Sequence, residues 1–228
     1  DFGDPALPVA YLDQLEREYR FWMSGSEDGT HPGTAVRRAV TVEGGILNRY
    51  WDESDRPRQE SHAEDLQLAR EFGTAPSRLF RNIRAACESG WDFSSRWLAD
   101  GRSLATIRTT DVLPVDLNAI LFHLESTLAE TCGRAGRRDD AALYRGRAES
   151  RKRLLRERFF DGSSGFFVDL LLPDLRGTGV LSLAGAFPLF LGIATQEQGE
   201  AACRRLSREF LRPGGWVTTE AHSGQQWD

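Results

Sequence analysis

One carboxylate in the sequence has an unusual setting, because the segment Ser89–Trp97 (SGWDFSSRW) places Asp92 between Trp91 and Phe93. Two roles are open to it. A helix could begin at Ser94, and an aspartate just before it would accept hydrogen bonds from the first free N–H groups of that helix. Alternatively, the two aromatic rings would keep water from the carboxyl and favour its protonated form, as a general acid requires. The segment by itself does not decide between helix capping and acid catalysis.

A second charged segment, Arg49–Ser61 (RYWDESDRPRQES), gathers arginines and acids around Trp51. Arg58 and Glu60 stand two positions apart after Pro57, so both side chains point to one face if the segment is extended. A guanidinium and a carboxylate side by side can bind adjacent hydroxyl groups of one sugar ring. The alternative is a local salt bridge that fixes the loop, which would stabilise an exposed segment only a little.

The tryptophans of the chain also favour a sugar ligand. Aromatic faces stack on the C–H faces of a sugar, while neighbouring polar groups bind its hydroxyls. Large tryptophans also close a core at helix ends, so this structural role stays open for each of them. The six lie mostly in or beside loops, next to charged or amide side chains: Trp22, Trp51, Trp91, Trp97, Trp216 and Trp227.

Helical periodicity dominates the chain, so we expect helices to form the scaffold that positions these loops. Apolar residues recur at helical spacing from Leu12 to Trp22 and from Leu117 to Leu128, and Asp116 is the expected N-cap of the second helix. Further helices are predicted at Ser61–Phe72, Ala75–Glu88, Asp140–Phe159, Leu181–Ala194 and Glu197–Leu211.

The segments between the helices are long and rich in glycine and aromatic residues. Residues 35–51 alternate and turn at Gly44-Gly45, and residues 165–181 do the same around Pro173, which predicts short β-hairpins. Helix pairs joined by such loops fit an α-solenoid or an α/α barrel. Solenoid loops are usually short, whereas barrel loops gather at one end to build a pocket, so the loop length favours the barrel.

Composition and spacing narrow the range of partners. The 228 residues carry 29 Lys and Arg against 34 Asp and Glu, a net charge of -5, and the basic residues are scattered, so we expect no nucleic-acid partner. The longest apolar run, Val180–Ala194, is interrupted by glycine and proline, so we expect no membrane span. The histidines are isolated, and Cys87, Cys132 and Cys203 lack ligand spacing, so we expect no metal, no cofactor and three ordinary buried thiols.

Five stretches together carry a family resemblance: LDQLEREYRFWM, NRYWDESDRPRQES, SGWDFSSRW, TTDVLPVDLN and SGQQWD. In this order, from about Leu7 to the last residue, the chain resembles the trehalases of glycoside hydrolase family 37, which hydrolyse α,α-trehalose to two glucose with inversion. The resemblance implies an all-α fold, an α/α toroid or (α/α)6 barrel of helix hairpins with short β-hairpins in the loops. Residues 1–228 would form part of a single catalytic domain of this kind, incomplete here.

The resemblance also implies roles for individual residues. Asp92 matches the general acid that protonates the glycosidic oxygen. Arg58 and Glu60 match substrate-binding positions, and Gly90 matches a position where the family contacts sugar through the backbone. One departure lies between them, since Gln59 stands where close relatives often have proline.

The second carboxylate of an inverting trehalase, a glutamate acting as general base, lies in the family beyond the Gln-Trp-Asp motif that ends this chain. The N-terminal family motif precedes Asp1 in the same way. We therefore expect the chain to be the central portion of a trehalase, inactive by itself. Two alternatives stay open: another α/α-barrel enzyme acting on α-glucosides, and a helical sugar-binding fragment without catalysis.

The expected partner is the small molecule trehalose, and the expected oligomeric state is a monomer. A periplasmic or secreted location is favoured over a cytoplasmic one.

Overall fold

The computed structural model describes residue 4 and residues 6–29, 31–73 and 75–228. Helices dominate this part of the chain. The α-helices are α1 (Leu7–Ala10), α2 (Leu12–Trp22), α3 (His62–Phe72), α4 (Pro76–Ser89), α5 (Val115–Arg134), α6 (Arg138–Leu154), α7 (Phe187–Phe190) and α8 (Gln196–Arg205). Single 3-10 turns lie at Ser95–Trp97, Leu104–Thr106, Thr109–Asp111 and Leu183–Ala186, and wider π turns extend α6 and α8 over Leu155–Phe159 and Leu206–Phe210.

The periodicity predicted the long helices correctly and one segment wrongly. Helices α2 to α6 and α8 are confirmed within a few residues, including Pro76 in the first turn of α4. The helix predicted over Leu181–Ala194 is wrong, because only a 3-10 turn and the four residues of α7 form there. Pro188 lies in the first turn of the short helix, and Gly192 follows its C-cap with a positive φ of 65°, so the apolar run cannot continue as one helix.

Short antiparallel strands lie in the segments between and after the helices. One sheet contains β1 (Ala35–Val36), β2 (Ala39–Val42) and β3 (Gly45–Asn48), and a second has β7 (Leu170–Leu171) between β4 (Val112–Leu113) and β8 (Arg176–Gly177). Two further pairs are β5 (Phe160–Asp161) with β6 (Phe166–Phe167), and β9 (Leu211–Arg212) with β10 (Gly215–Trp216). Both predicted hairpins are confirmed: β2 and β3 turn at Gly44, whose φ is 91°, and β7 and β8 enclose Pro173.

Helix α5 is the central element of the packing. It forms a hairpin with α6 through Ala135–Arg137 and contributes to each of three apolar clusters: Phe122 to the first, Leu121 to the second and Leu128 to the third. A helix surrounded on most sides by protein cannot show a simple apolar stripe. Its polar residues that face inward must therefore find partners inside the protein.

Asp116 is one of these inward-facing residues. It was expected to be the N-cap of α5, but the N-cap position is Pro114, and Asp116 lies inside the first turn. Its carboxylate is buried and accepts two hydrogen bonds from Arg96, at 2.9 and 2.7 Å. Asp169 binds the other side of the same guanidinium at 2.6 and 2.8 Å and also accepts from the backbone N–H of Val115.

A second buried network joins α5 to its other neighbours. Glu125 accepts two hydrogen bonds from Arg151 on α6 and one from the hydroxyl of Tyr19 on α2. Burial, helped by the charge of Glu125, raises the pKa of Tyr19 to about 12, so this hydroxyl keeps its proton at neutral pH. Asn118, one helical turn after Pro114, pairs with both the N–H and the C=O of Asn48 at 2.9 Å and so fixes the end of β3.

The three cysteines differ in their exposure to solvent. Cys132 is buried and Cys87 partly buried, but Cys203 is exposed, so the expectation of three buried thiols is wrong for Cys203. Cys203 lies on the outer face of α8, where helical spacing alone does not show which side meets the core. Across the described ranges, no helix combines the length and apolar character needed to cross a bilayer.

The Arg96 network gives a first prediction. Asp169→Ala removes one of the two carboxylates that neutralise a guanidinium with no exposed surface, and loss of one partner from a buried ion pair costs about 3–5 kcal/mol of unfolding free energy. Denaturant unfolding of the purified protein measures the loss. Glu200→Gln, which removes an exposed pair with Arg204 on α8, is the control and should unfold like the wild type. Equal unfolding of the two variants would contradict the importance of the network.

Candidate active site

An open cleft of about 290 Å³ lies beside the C-terminal half of α4. Two segments line it. The loop after β3 supplies Asp52, Arg58, Gln59 and Glu60, and α4 supplies Arg84, Cys87 and Glu88. The charged segment singled out in the sequence therefore forms one wall of a cleft, and the helix that leads to Asp92 forms the other.

Arg58 is held firmly within this wall. Its Nε and Nη2 donate to the two carboxylate oxygens of Asp65 at 3.2 and 2.7 Å, and its Nη1 lies 3.9 Å from the Cys87 sulfur. Its guanidinium also lies over the Phe93 ring, 5.1 Å from the centroid. Burial by itself would lower the pKa of Arg58, but the hydrogen bonds and charge of Asp65 raise it, so the guanidinium stays charged. The salt bridge considered for this loop exists, but its partner is Asp65 on α3 rather than Glu60.

The pKa of Cys87 responds to the charges of three expected site residues. Burial raises the pKa of the Cys87 thiol; the charge of Arg58 opposes this, while the charges of Asp92 and Glu60 add to it. Three groups from two segments of the sequence thus influence the pKa of one thiol. The structure brings Arg58, Glu60 and Asp92 together around the same side of α4.

Gly90 turns the chain from α4 toward Asp92. It is the C-cap of α4 with φ 73° and ψ 1°, the left-handed conformation that favours glycine, and its N–H donates to the carbonyl of Cys87. An added Cβ there would meet no atom within 4 Å, so the backbone angle rather than space requires glycine. The next residue, Trp91, donates its N–H to the Ser89 hydroxyl at 3.0 Å, which tightens the turn.

Asp92 itself is exposed, and the peptide bond between it and Phe93 is cis. The helical turn that follows is capped by Ser94, whose hydroxyl accepts from the N–H of Arg96, so Asp92 is not the cap. The expected enclosure of its carboxyl by Trp91 and Phe93 is not seen either. Both rings have other partners: Phe93 lies under Arg58, and Trp91 stacks on Trp227 with centroids 6.0 Å apart.

The last residues of the chain hold the Asp92 loop in place. Asp228 accepts hydrogen bonds from the Ser94 hydroxyl at 2.9 Å and from the N–H and hydroxyl of Ser95 at 2.7 and 2.9 Å. It also accepts from the hydroxyls of Thr219 and Ser223. Burial acts to raise the pKa of Asp228, but the hydrogen bonds from the hydroxyls of Ser223, Ser94 and Ser95 and from Ser95 N–H outweigh it, so its pKa is lowered. Two of the motifs quoted from the sequence are therefore in direct contact.

Arg96 anchors the other end of the loop. Besides its two carboxylate partners, its guanidinium lies 4.8 Å from the Trp91 ring centroid and 4.5 Å from that of Trp97. Trp97 is fully buried and donates from Nε1 to the Trp91 carbonyl at 2.9 Å. Trp97 and Trp91 thus have a structural role, the alternative that the sequence left open for every tryptophan.

Sequence reasoning missed three residues that this geometry makes important. Asp65 gave no signal beyond being a carboxylate at a buried position of a helix, and Cys87 resembled an ordinary thiol. Asp228 stood in a quoted motif but received no role, because its partners are distant in sequence. Over the described parts of the chain, no group of three His, Cys, Asp or Glu residues is placed to hold a metal ion.

Comparisons with known proteins agree with one another. The family model described as trehalase matches residues 2–228. The periplasmic trehalase of Xanthomonas oryzae pv. oryzae is 42% identical, with 98% of this chain and 39% of that protein covered. The periplasmic trehalase of Pseudomonas aeruginosa is 43% identical, with coverages of 99% and 41%. The chain therefore spans about two fifths of the length of these relatives.

The fold comparison adds a solved structure. The neutral trehalase of Saccharomyces cerevisiae superposes with a TM-score of 0.69 at 22% identity, over 95% of this chain and 44% of that one. At this identity the likeness shows the fold alone, and it confirms the expected class of α/α helix hairpins.

The contact between Asp228 and the Asp92 loop gives a second prediction. Asp228→Asn weakens the acceptor of Ser95 N–H, so this amide should exchange with solvent roughly tenfold faster. The amide of Ala105, which donates to the Ser103 hydroxyl in a neighbouring turn, is the internal control and should not change. Hydrogen exchange followed by NMR measures both.

The lowered pKa of Asp228 sets the pH dependence of the same contact. Its stabilising effect is fully present above the ordinary aspartate pKa of about 3.9 and is lost as the pH falls through the lower value of the folded protein. Protection of Ser95 should therefore persist at pH 5 and disappear in stronger acid. Unchanged exchange in Asp228→Asn would show that the loop is held by Arg96 alone.

Proposed function

The chain belongs to the trehalase family, and from that premise we propose that the protein hydrolyses α,α-trehalose to two glucose molecules by an inverting mechanism that uses two carboxylates. We propose Asp92 as the general acid and Arg58, Glu60 and Gly90 as substrate-binding residues. Residues 1–228 belong, in this proposal, to a single α/α-barrel catalytic domain. The relatives named periplasmic trehalases support a periplasmic location, and we expect a monomer.

One observation carries the proposal. Arg58 and Glu60 line one open cleft, and Asp92 follows α4, the helix that forms the other wall, closely enough for its charge to act with theirs on the pKa of Cys87. A cation, a hydrogen-bond acceptor and a proton donor in one region are the groups that the proposed glycoside hydrolysis would use on the leaving-group side. A purely structural cluster would pair its charges with one another, but Glu60 and Asp92 are exposed and make no hydrogen bond within the described residues.

The proposed acid step uses the exposure of Asp92. Its carboxyl faces solvent in the free chain. A bound sugar would cover it and exclude water, which places the carboxyl within reach of the glycosidic oxygen. The carboxyl can be placed this accurately because the residues on both sides of it are fixed: Gly90 by the end of α4, and Ser94 and Ser95 by Asp228.

The proposed sugar contacts divide between charge and backbone. Arg58 donates charge-assisted hydrogen bonds to sugar oxygens, and Glu60 accepts from neighbouring hydroxyls. Gly90, whose missing Cβ leaves open space above its backbone, admits a sugar ring close to the main chain. Gln59 lies between the two charged residues in the cleft wall, where its amide can serve as a further polar contact.

The second carboxylate is proposed to lie outside residues 1–228, following the Gln226-Trp227-Asp228 motif as the family resemblance places it. An inverting enzyme needs this base roughly 6.5–9.5 Å from the acid, so that a water molecule fits on the far side of the anomeric carbon. Trp227 stacks on Trp91 and Asp228 accepts from Ser95 N–H, so the C-terminal motif lies against the loop that carries the proposed acid.

Two other functions would give different results. Another α/α-barrel α-glucosidase would hydrolyse maltose and trehalose at similar rates, whereas a trehalase should strongly prefer trehalose. A non-catalytic sugar-binding protein would bind trehalose without turnover even as the full-length protein. A panel of α-linked disaccharides therefore separates the three.

The cleft gives a third prediction. Arg58→Ala and Glu60→Ala in the full-length protein each remove charge-assisted hydrogen bonds worth about 1.5–3 kcal/mol, so kcat/KM for trehalose should fall by roughly ten- to a hundredfold. Arg56→Ala, an exposed arginine in the same loop, is the matched control and should keep wild-type kinetics. Wild-type kinetics in both cleft variants would show that the loop is structural.

Asp92 gives a fourth prediction. Because Asp92 is exposed and does not cap the following turn, Asp92→Asn should leave the melting temperature unchanged. Asparagine cannot donate the catalytic proton, so turnover of trehalose should fall by at least the roughly 10²–10⁴-fold typical of general acid catalysis.

The leaving group distinguishes acid catalysis from other roles of Asp92. The leaving group of α-glucosyl fluoride needs little protonation, so its turnover by Asp92→Asn should be far less reduced than that of trehalose. Steady-state kinetics on both substrates, with melting curves, test the assignment. Equal losses on the two substrates would mean that the acid is another residue.

A further inference from the structure

We infer that Asp65 is a positioning residue, which orients the Arg58 guanidinium for sugar binding. Asp65 is not among the residues that the family resemblance assigns to the site. The inference depends on the proposed function, because it concerns how Arg58 performs the role proposed for it. It comes from the contacts of a single buried carboxylate.

Asp65 binds both the side chain and the main chain of Arg58. Its Oδ2 accepts from Arg58 Nε at 3.2 Å and from the Arg58 backbone N–H at 2.9 Å, while its Oδ1 accepts from Nη2 at 2.7 Å. The residue is 2% exposed, so water cannot take over these hydrogen bonds. One carboxylate therefore fixes the position of the loop and the plane of the guanidinium together.

The pairing also decides which N–H groups remain for a ligand. A guanidinium has five N–H donors in one plane. Asp65 takes the Nε donor and one Nη2 donor, and Nη1 lies near the Cys87 sulfur. The edge formed by Nη1 and Nη2, on the opposite side from Nε, keeps free donors. Because Arg58 lines the cleft, this edge is the one offered to sugar oxygens.

The support behind Asp65 is rigid. It lies in the first turn of α3, where a negative charge is favoured by the helix dipole, and its N–H donates to the carbonyl of Ser61 at 3.0 Å. The Phe93 ring under Arg58 limits tilting of the guanidinium. Arg58 thus keeps its orientation in the absence of sugar, which reduces the ordering needed on binding.

An Asp65 that only held the loop in place would have a different kinetic signature. Its hydrogen bond with the Arg58 backbone N–H remains when the Arg58 side chain is removed, so loss of Asp65 would then impair the site in both backgrounds. Loss of a positioning residue affects substrate binding only through Arg58, so its effect must disappear when Arg58 is absent. A double-mutant cycle separates the two cases.

The test measures kcat and KM for trehalose with the full-length protein carrying Asp65→Asn, Arg58→Ala or both. We expect Asp65→Asn to raise KM about tenfold with a smaller change in kcat, as for loss of a binding interaction made equally in ground and transition state. In the Arg58→Ala background, the same substitution should change kcat/KM by less than about twofold. Glu64→Gln, which removes the neighbouring exposed charge on the same helical turn, should behave as wild type.

Arg58→Lys provides a second arm that leaves Asp65 and its helix intact. An ammonium keeps the charge but cannot be held by two parallel hydrogen bonds, so KM should again rise about tenfold. Melting curves of every variant ensure that kinetics are measured on folded protein.

The possible outcomes separate the two proposals. If Arg58→Ala keeps wild-type kinetics, the proposed sugar-binding role of Arg58 is wrong. If Arg58→Ala is impaired while Asp65→Asn or Arg58→Lys binds trehalose as tightly as wild type, the positioning role of Asp65 alone is wrong. Equal losses from Asp65→Asn in both backgrounds would likewise overturn it in favour of a structural role.

Discussion

The buried guanidinium of Arg96 is the interaction on which the candidate site depends. A fully buried charge is tolerated only when carboxylates and hydrogen bonds replace its water, and Asp116 and Asp169 do this from two directions. Burial alone would lower the pKa of Arg96, but the charges and hydrogen bonds of the two aspartates raise it well above its ordinary value. Since each partner lies on a different element, the charge can be satisfied only when α5, the strands near β7 and the Asp92 loop have all come together.

This requirement explains how exposed side chains can lie on a loop and still be placed accurately. The loop is fixed on the buried side by Arg96 and at its middle by Asp228, whereas Asp92 is exposed to solvent and Glu60 lines the open cleft. Arg58 combines a buried ion pair with a place at the cleft. Its Nε side is bound by Asp65, and the residue lines the cleft.

Much of the fold could be predicted from local patterns. Apolar spacing located α2 and α5, Pro76 located the start of α4, and Gly44 located the turn of the first hairpin. The pattern misled over Leu181–Ala194, where apolar composition is that of a helix but Gly192 and Pro188 break it. The N-cap prediction for Asp116 failed for a different reason. Aspartate is typical of N-caps, but here it lies inside the helix, where its carboxylate accepts a hydrogen bond from the buried Arg96.

By itself, the sequence determined the helical class and the turn positions, because periodicity and glycine are local properties of the chain, and its family resemblance supplied the candidate residues Arg58, Glu60, Gly90 and Asp92. Only the tertiary structure decided that Asp92 is no cap, that Arg58 pairs with Asp65, and that the final motif holds the Asp92 loop. The physical reason is that a charge or a hydroxyl can bind several partners of equal chemistry. Which one it meets depends on how helices that are distant in sequence pack, and no local pattern encodes that choice.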